Sequence, residues 1–387
     1  MATAEELLAR HQPVLKYDSQ ESYFADSAAE WTDNPGNTLK GADGKAIVSA
    51  GNGLNLAFLG QKYANGHAAT KKDLIGDPGT NYREQARKLH ALPGYANRIY
   101  GHAVVDAGGD LWLQYWFWYF YNDYNLIGGF IKAGLHEGDW EMIQIRLRDE
   151  QPDLAVYAQH THAQSRDWGQ VDLVPTTERP LVYVARGSHA SYFEPGTHWT
   201  GAWFDYADGK RRSPDQTLDI VDDGKPEWNW VRWPGTWGDT RKSGDNPLDS
   251  DSPTGPGAHG QWDDPLSLVE KAAAFAAATP PARPLPPPAP RVRVEWSARG
   301  IRVYYRVMAA AGGKRPSALT ITLNSPDERL PPTTQTFEID KASGSVELDG
   351  AIDPTNRYDL YVSAATADGL ASESVRGDLS PESRPAA

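Results

Sequence analysis

The sequence predicts a mainly β protein: a β-sandwich with peripheral helices, followed by a second, smaller β-sandwich. Three observations predict it. Short runs rich in Val, Ile, Tyr, Phe and Trp recur along the chain, bounded by Gly, Pro, Asn and Asp. A proline-dense segment divides the chain. Helical patterning is confined to Ala4–Arg10, Tyr82–Ala91 and a run just before the prolines.

The divider is Pro280 to Pro290, Pro-Pro-Ala-Arg-Pro-Leu-Pro-Pro-Pro-Ala-Pro. Its missing backbone donors and locked φ angles favour extended polyproline II, so it reads as a semi-rigid linker over residues 280–290. The chain of 387 residues suits two or three domains on a prior of roughly 100–200 residues each. The expected division is residues 1–279, the linker, and residues 291–380. Before the linker, Pro265 and the alanine-rich run Leu266 to Ala278 suit a helix that closes the first domain.

In the first domain, Leu111-Trp-Leu-Gln-Tyr-Trp-Phe-Trp-Tyr-Phe120 is too β-prone for a helix and reads as a buried strand. Trp140–Leu147, Ala155–Ala158 and Leu181–Ala185 are three further strands. After the linker, Val292–Trp296, Ile301–Val307, Leu319–Leu323, Thr336–Ile339, Ser345–Leu348 and Tyr358–Ala364 alternate with turn residues, the pattern of a small sandwich.

Composition removes several functions. The formal charge is −13 and no basic run occurs, so nucleic acid is not an expected partner. There is no cysteine, which leaves His, Asp and Glu as metal ligands. No run reaches the ~18 apolar residues of a transmembrane helix. The start, Met1-Ala-Thr-Ala-Glu-Glu-Leu-Leu-Ala-Arg-His11, lacks a signal-like cationic head and apolar stretch. A cytoplasmic location is the simpler expectation, although a trimmed secreted chain would look the same.

The motif that carries chemistry is His136-Glu-Gly-Asp-Trp-Glu141, read with Asp123. A strand starting near Asp139 sends Asp139 and Glu141 to one face, and carboxylates that close require a cation or a proton between them. His136, in the loop entering the strand, can turn to the same point. Asp123 would close the site if the two strands are neighbours. One imidazole and three carboxylates favour Ca²⁺ or Mg²⁺, with Mn²⁺ and Zn²⁺ as alternatives. The bland alternative is a solvated acidic strand face with His136 in a turn, and spacing alone leaves the two about equal.

A second cluster holds His160 and His162 at one strand end and Arg186-Gly-Ser-His189 at another. These four, His160, His162, Arg186 and His189, with Glu137 of the motif, are the candidate proton-transfer or anion-contacting groups. Ser188 and His189 are not read as a hydrolase pair, because adjacent residues in extended chain point apart. His189 is equally a structural histidine. Trp199, Trp203, Phe204, Trp228, Trp230, Trp233 and Trp237 read first as core, then as a groove for a sugar or flat apolar ligand, then as a membrane-contacting rim.

Gln114 to Asn125, His136 to Glu141, Pro180 to Tyr192, Trp237-Gly, Gly255-Pro-Gly257 and Trp262, with the opening Pro13 to Ser19 and Tyr23-Phe24, resemble the family related to vacuolar protein sorting protein sixty-two across most of residues 10–265. A more distant likeness is to the necrosis-inducing proteins of plant pathogens, which carry Gly-His-Arg-His-Asp-Trp-Glu after an aromatic strand ending in Asp. This sequence departs from them at Glu137 and Gly138. That likeness implies a Ca²⁺- or Mg²⁺-binding β-sandwich with Asp123, His136, Asp139 and Glu141 as ligands, and lipid or glycan headgroups as partners. Tyr358 to Ser374 resembles the late strands of fibronectin type III domains, which implies a spacer or adhesion module. Together these set two expectations. One is a divalent-cation-dependent enzyme acting on a small-molecule, lipid or glycan substrate, with histidine as proton shuttle. The other is a non-catalytic, cation-dependent lipid- or glycan-binding module with peripheral membrane contact.

Overall fold

The computed structural model describes residues 2–79, 81–126, 131–132, 135–239, 252–279, 285–310, 312–324, 332–349, 352–353 and 355–380. The chain forms two compact units, one of residues 1–123, 134–241 and 250–279, the other of residues 124–133, 242–249 and 280–387. The division after Thr279 falls where the proline-rich segment starts; residues 280–284 of that segment lie outside the described residues. Among the described residues no helix is long and apolar enough to cross a membrane.

The aromatic run forms the centre of the first unit. Leu111–Asn122 pairs antiparallel with Asn97–Val105 on one side and with His136–Arg148 on the other. His136–Arg148 pairs in turn with Gln151–Gln159, and that strand with His162–Asp167. Gln216–Val221 completes six strands, running parallel to Asn97–Val105. Because strand side chains alternate, Trp112, Trp116 and Trp118 enter one core, and Leu113, Tyr115, Phe117 and Tyr119 enter another.

The central sheet is thus buried on both faces, in keeping with the buried strand that the aromatic run predicts. A continuously apolar strand, with no polar alternation, has this as its physical counterpart. Leu39, Ile75 and Trp237, from a four-stranded sheet of Thr236–Trp237, Leu74–Gly76, Thr38–Lys40 and Ala46–Ser49, line the first core. Leu268 and Ala272 of the closing helix Leu266–Ala278 join them. Leu15, Tyr17, Val182 and Val184, from parallel strands Val14–Tyr17 and Leu181–Val184, line the second. Trp230, Trp233 and Trp237 are core residues, whereas Trp199, Trp203, Phe204 and Trp228 are half-buried.

In the second unit, Arg291–Trp296, Gly300–Arg306 and Ser343–Asp349 form one sheet. Thr333–Glu338, Ala318–Leu323, Tyr358–Ala365 and Val375–Leu379 form another. Both contribute to a single core through Trp296, Ile301, Val303, Leu319, Ile321, Leu360 and Val362.

Candidate functional site

The motif strand is not regular. Its register against the aromatic strand sets Glu141 opposite Phe117, Asp139 opposite Tyr119, Glu137 opposite Tyr121 and His136 opposite Asn122. Between them Gly138 adopts φ +63°, a left-handed conformation that an L side chain resists. A regular strand would send residues 137, 139 and 141 to one face. The kink at Gly138 separates them. Glu137 turns toward Tyr82, whose hydroxyl donates to Oε1 at 2.8 Å, while the amides of Asp239 (2.8 Å) and Asp77 (3.1 Å) donate to Oε2. So engaged and buried, Glu137 is an anchor joining three segments rather than the proton-transfer group expected from the sequence.

Asp139 faces the second core and meets His189. The imidazole, fully buried, stacks on Tyr119 with centroids 4.0 Å apart and donates from Nδ1 to Asp139 Oδ2 at 2.9 Å. Its Nε2 lies 3.8 Å from Glu21 Oε1. Glu21 also accepts from the amides of Tyr23 (2.9 Å) and Gly187 (2.7 Å). Burial alone would keep His189 neutral, but Asp139 and Glu21 outweigh it and raise its pKa to about 9. Burial likewise opposes charge on Glu21, and His189 with the backbone donors holds it below the usual carboxylate range. His189 adopts φ +56° after Gly187 at φ +74°, so a tight turn delivers the ring.

A pH dependence follows. Unfolded, His189 titrates near 6.5; folded, near 9. A raised folded value means its stabilisation is complete below about pH 6.5 and is lost as pH rises through about 9. Denaturant unfolding between pH 6 and pH 9.5 is expected to show a loss of about 3 kcal/mol in this window, absent from His189→Gln. A flat wild-type profile would refute the charged imidazole.

Glu141 lies beside this pair. It is buried and makes no hydrogen bond among the described residues. Burial pushes its pKa well above the usual range, and the carboxylates of Asp139 and Asp205 push the same way. Asp205 accepts from Tyr192 Oη at 2.7 Å and from His160 Nε2 at 2.9 Å. Burial opposes the charge on His160, but Asp205 and then Asp139 raise its pKa. On the neighbouring strand, which pairs Tyr157 with Ile143, Gln159 follows two residues on. Gln159 donates from Nε2 to the Ser191 carbonyl at 3.0 Å, leaving Gln159 Oε1 and Ser191 Oγ buried and unpartnered.

Of the remaining expected residues, Asp123, His136 and Arg186 have other partners, and His162 stands beside His160 with ring centroids 6.3 Å apart. Asp123 pairs with Arg83, Nη2 to Oδ2 at 2.6 Å. His136 donates from Nδ1 to the Gly138 carbonyl at 2.6 Å, and its Nε2 accepts from Asn122 Nδ2 at 2.9 Å. Among the described residues no three His, Asp or Glu side chains converge as a metal centre, so the expected quartet does not assemble. Asp139 and Glu141 are the two brought side by side. Arg186 acts on Asp18, whose carboxyl is raised by burial and lowered by that guanidinium. His162 stacks on Phe275 at 3.7 Å, and burial, then the charge on His160, lowers its pKa to about 4.

Glu21, Asp205, Gln159, Ser191 and Arg83 were not among the sequence candidates. None lies in a charged motif. The usable signals were positional: Glu21 follows the opening strand, and Gln159 and Ser191 flank the histidines already singled out.

The family described as vacuolar protein sorting-associated protein 62 matches residues 1–224, more than half of the chain. The chain belongs to this family. A family relative in Saccharomyces cerevisiae (strain ATCC 204508 / S288c), described as "Putative vacuolar protein sorting-associated protein TDA6", is 25% identical over 223 residues, 49% of this chain and 46% of that protein. The chain thus spans about half the length of the curated relative it matches. The family match takes in Glu21, Asp123, Asp139, Glu141, Gln159, His189, Ser191 and Asp205, and stops before Trp237 and Asp239.

Proposed function

We propose that this protein is an enzyme working by acid–base chemistry on a small-molecule, lipid or glycan substrate. The observation that carries the reading is Glu141: a buried carboxyl, unbonded among the described residues, its pKa raised by burial and then by Asp139 and Asp205. A carboxyl whose pKa is raised in this way is suited to donate a proton to a developing anion or leaving group. Asp139, aimed by His189, supplies the neighbouring carboxylate, and His189 with Glu21 acts as its positioning pair. His160, charged through Asp205, is a second proton-transfer group. Gln159 Oε1 and Ser191 Oγ are among the buried polar atoms with which the site would hold a substrate, since such atoms in folded proteins rarely stay unsatisfied.

A second reading has specific support. Asp139 and Glu141 crowd like charges, and a divalent cation would relieve them as a proton does. Ca²⁺ or Mg²⁺ suits such oxygen ligands before Mn²⁺ or Zn²⁺. Asp123 and His136 do not fit this role as placed, and no proton transfer proposed above depends on a metal. With a cation at Asp139 and Glu141 and no reaction, the protein would be a lipid- or glycan-binding module of the kind its distant likeness to necrosis-inducing proteins implies. We read the second unit as a fibronectin type III-like spacer in either case.

The test is a panel of phosphoesters, esters and glycosides, run with wild type and Asp139→Ala, each with EDTA and with added cations. Turnover of one class by wild type, lost in the variant and retained in EDTA, is the expected result. If no substrate reacts while liposome binding requires both a cation and Asp139, the enzyme reading fails in favour of the binding module. Thermal shift with the four cations reports on the metal separately, since a bound cation raises the midpoint in wild type and not in Glu141→Gln.

A further inference from the structure

We propose that Arg83 is a resident cation for Asp123, taking the structural place that a divalent metal would hold at this end of the sheet. The inference rests on contacts present in the fold and is independent of the proposed enzymatic activity. Arg83 Nη2 lies 2.6 Å from Asp123 Oδ2, with side chains only 12% and 7% exposed. Guanidinium is always charged, and removed from water it pairs with a carboxylate more strongly than at a surface.

The helix Tyr82–His90 brings Arg83 to this point and is fastened at both ends. Asn81 caps it, its Oδ1 accepting from the Glu84 amide at 3.1 Å. Tyr82 stacks on Tyr121 with centroids 4.1 Å apart and donates to Glu137 at 2.8 Å. At the far end His90 Nε2 bonds Asp26 Oδ2 at 2.8 Å, and Asp26 donates its amide to the Trp118 carbonyl at 2.7 Å. Arg83 and Tyr82, adjacent on this helix, therefore grip the exit of strand Leu111–Asn122 through Asp123 and the entry of strand His136–Arg148 through Glu137. A metal bridging Asp123 to His136 would join the same two strand ends. His136 is already satisfied by the Gly138 carbonyl and Asn122, so neither expected ligand is left open to an ion. A metal at Asp123 would have to displace Arg83 from that carboxylate.

The test uses the full chain. Wild type dialysed against EDTA is expected to keep its melting temperature. Arg83→Ala is expected to lower it by about 6–10 °C, the scale of breaking a nearly buried ion pair. Millimolar methylguanidine should restore part of the loss, and tetramethylammonium at equal ionic strength should not. Because Arg83→Ala could fail to fold, the double variant Arg83→Gln/Asp123→Asn is the second arm: removing both charges should recover most of what Arg83→Gln alone loses. A double variant no more stable than Arg83→Gln overturns the proposal. So does wild-type protein that purifies with a stoichiometric divalent metal which Asp123→Asn no longer carries.

Discussion

Gly138→Ala is expected to destabilise the first unit by about 4 kcal/mol, the sum of a left-handed backbone strain and an overpacking cost. A Cβ at this position would stand 2.1 Å from Trp118 Cη2 and 2.2 Å from the Trp237 carbonyl oxygen. The tryptophan ring is fully buried among Trp31, Trp140 and Trp237, so it has no room to withdraw. The carbonyl belongs to backbone that pairs with Leu74–Gly76 and cannot rotate without breaking that ladder. If the chain yields instead by straightening, Glu137 turns away from Tyr82 and loses its donors. Urea titration would register either route as a lower midpoint. A midpoint within about 0.2 M of wild type would show that the kink is not required, given a slope of a few kcal/mol per molar.

Glu141→Gln is expected to lower kcat by about 10²–10⁴-fold on whichever substrate the panel identifies, with KM little changed. Glutamine keeps the shape of the side chain and removes the transferable proton. Wild-type activity should fall on the alkaline side as pH rises through the raised pKa of Glu141, and the variant's residual activity should lose that limb. Stability should hold, since the amide, like the protonated carboxyl it replaces, puts no charge beside Asp139 and Asp205. A variant with unchanged kcat would end the assignment of Glu141 as the proton donor. Ser191→Ala, by contrast, is expected to raise KM, because it removes a contact to substrate and leaves the acid in place.

Much of the scaffold was legible in the chain. The strands at Leu111, Trp140 and Leu181 and the helices at Ala4, Tyr82 and Leu266 appear where apolar period and β propensity place them. The double burial of the aromatic strand was also written there, since Trp112 and Leu113, or Trp118 and Tyr119, leave neither face polar. Less legible was the motif's geometry. Period two placed Asp139 and Glu141 on one face, as found, but it would also have placed Glu137 with them. The left-handed Gly138 breaks the period at that step, and a glycine in a strand signals a break without giving its direction.

What the sequence determined by itself, then, is a mainly β chain, a proline-rich divider and a strand on which two carboxylates stand side by side. These follow from local backbone preferences and from residues at most a few positions apart. Which groups surround those carboxylates was decided only by tertiary structure. Glu21 is 168 positions from His189, and Asp205 is 45 from His160. Arg83 is 40 from Asp123. Such pairs depend on how sheets and helices stack, and that is set by total burial rather than by any short pattern. A metal quartet inferred from spacing therefore resolves in the fold into two separate arrangements: an ion pair tying down the strand ends, and a buried acid beside a charged histidine.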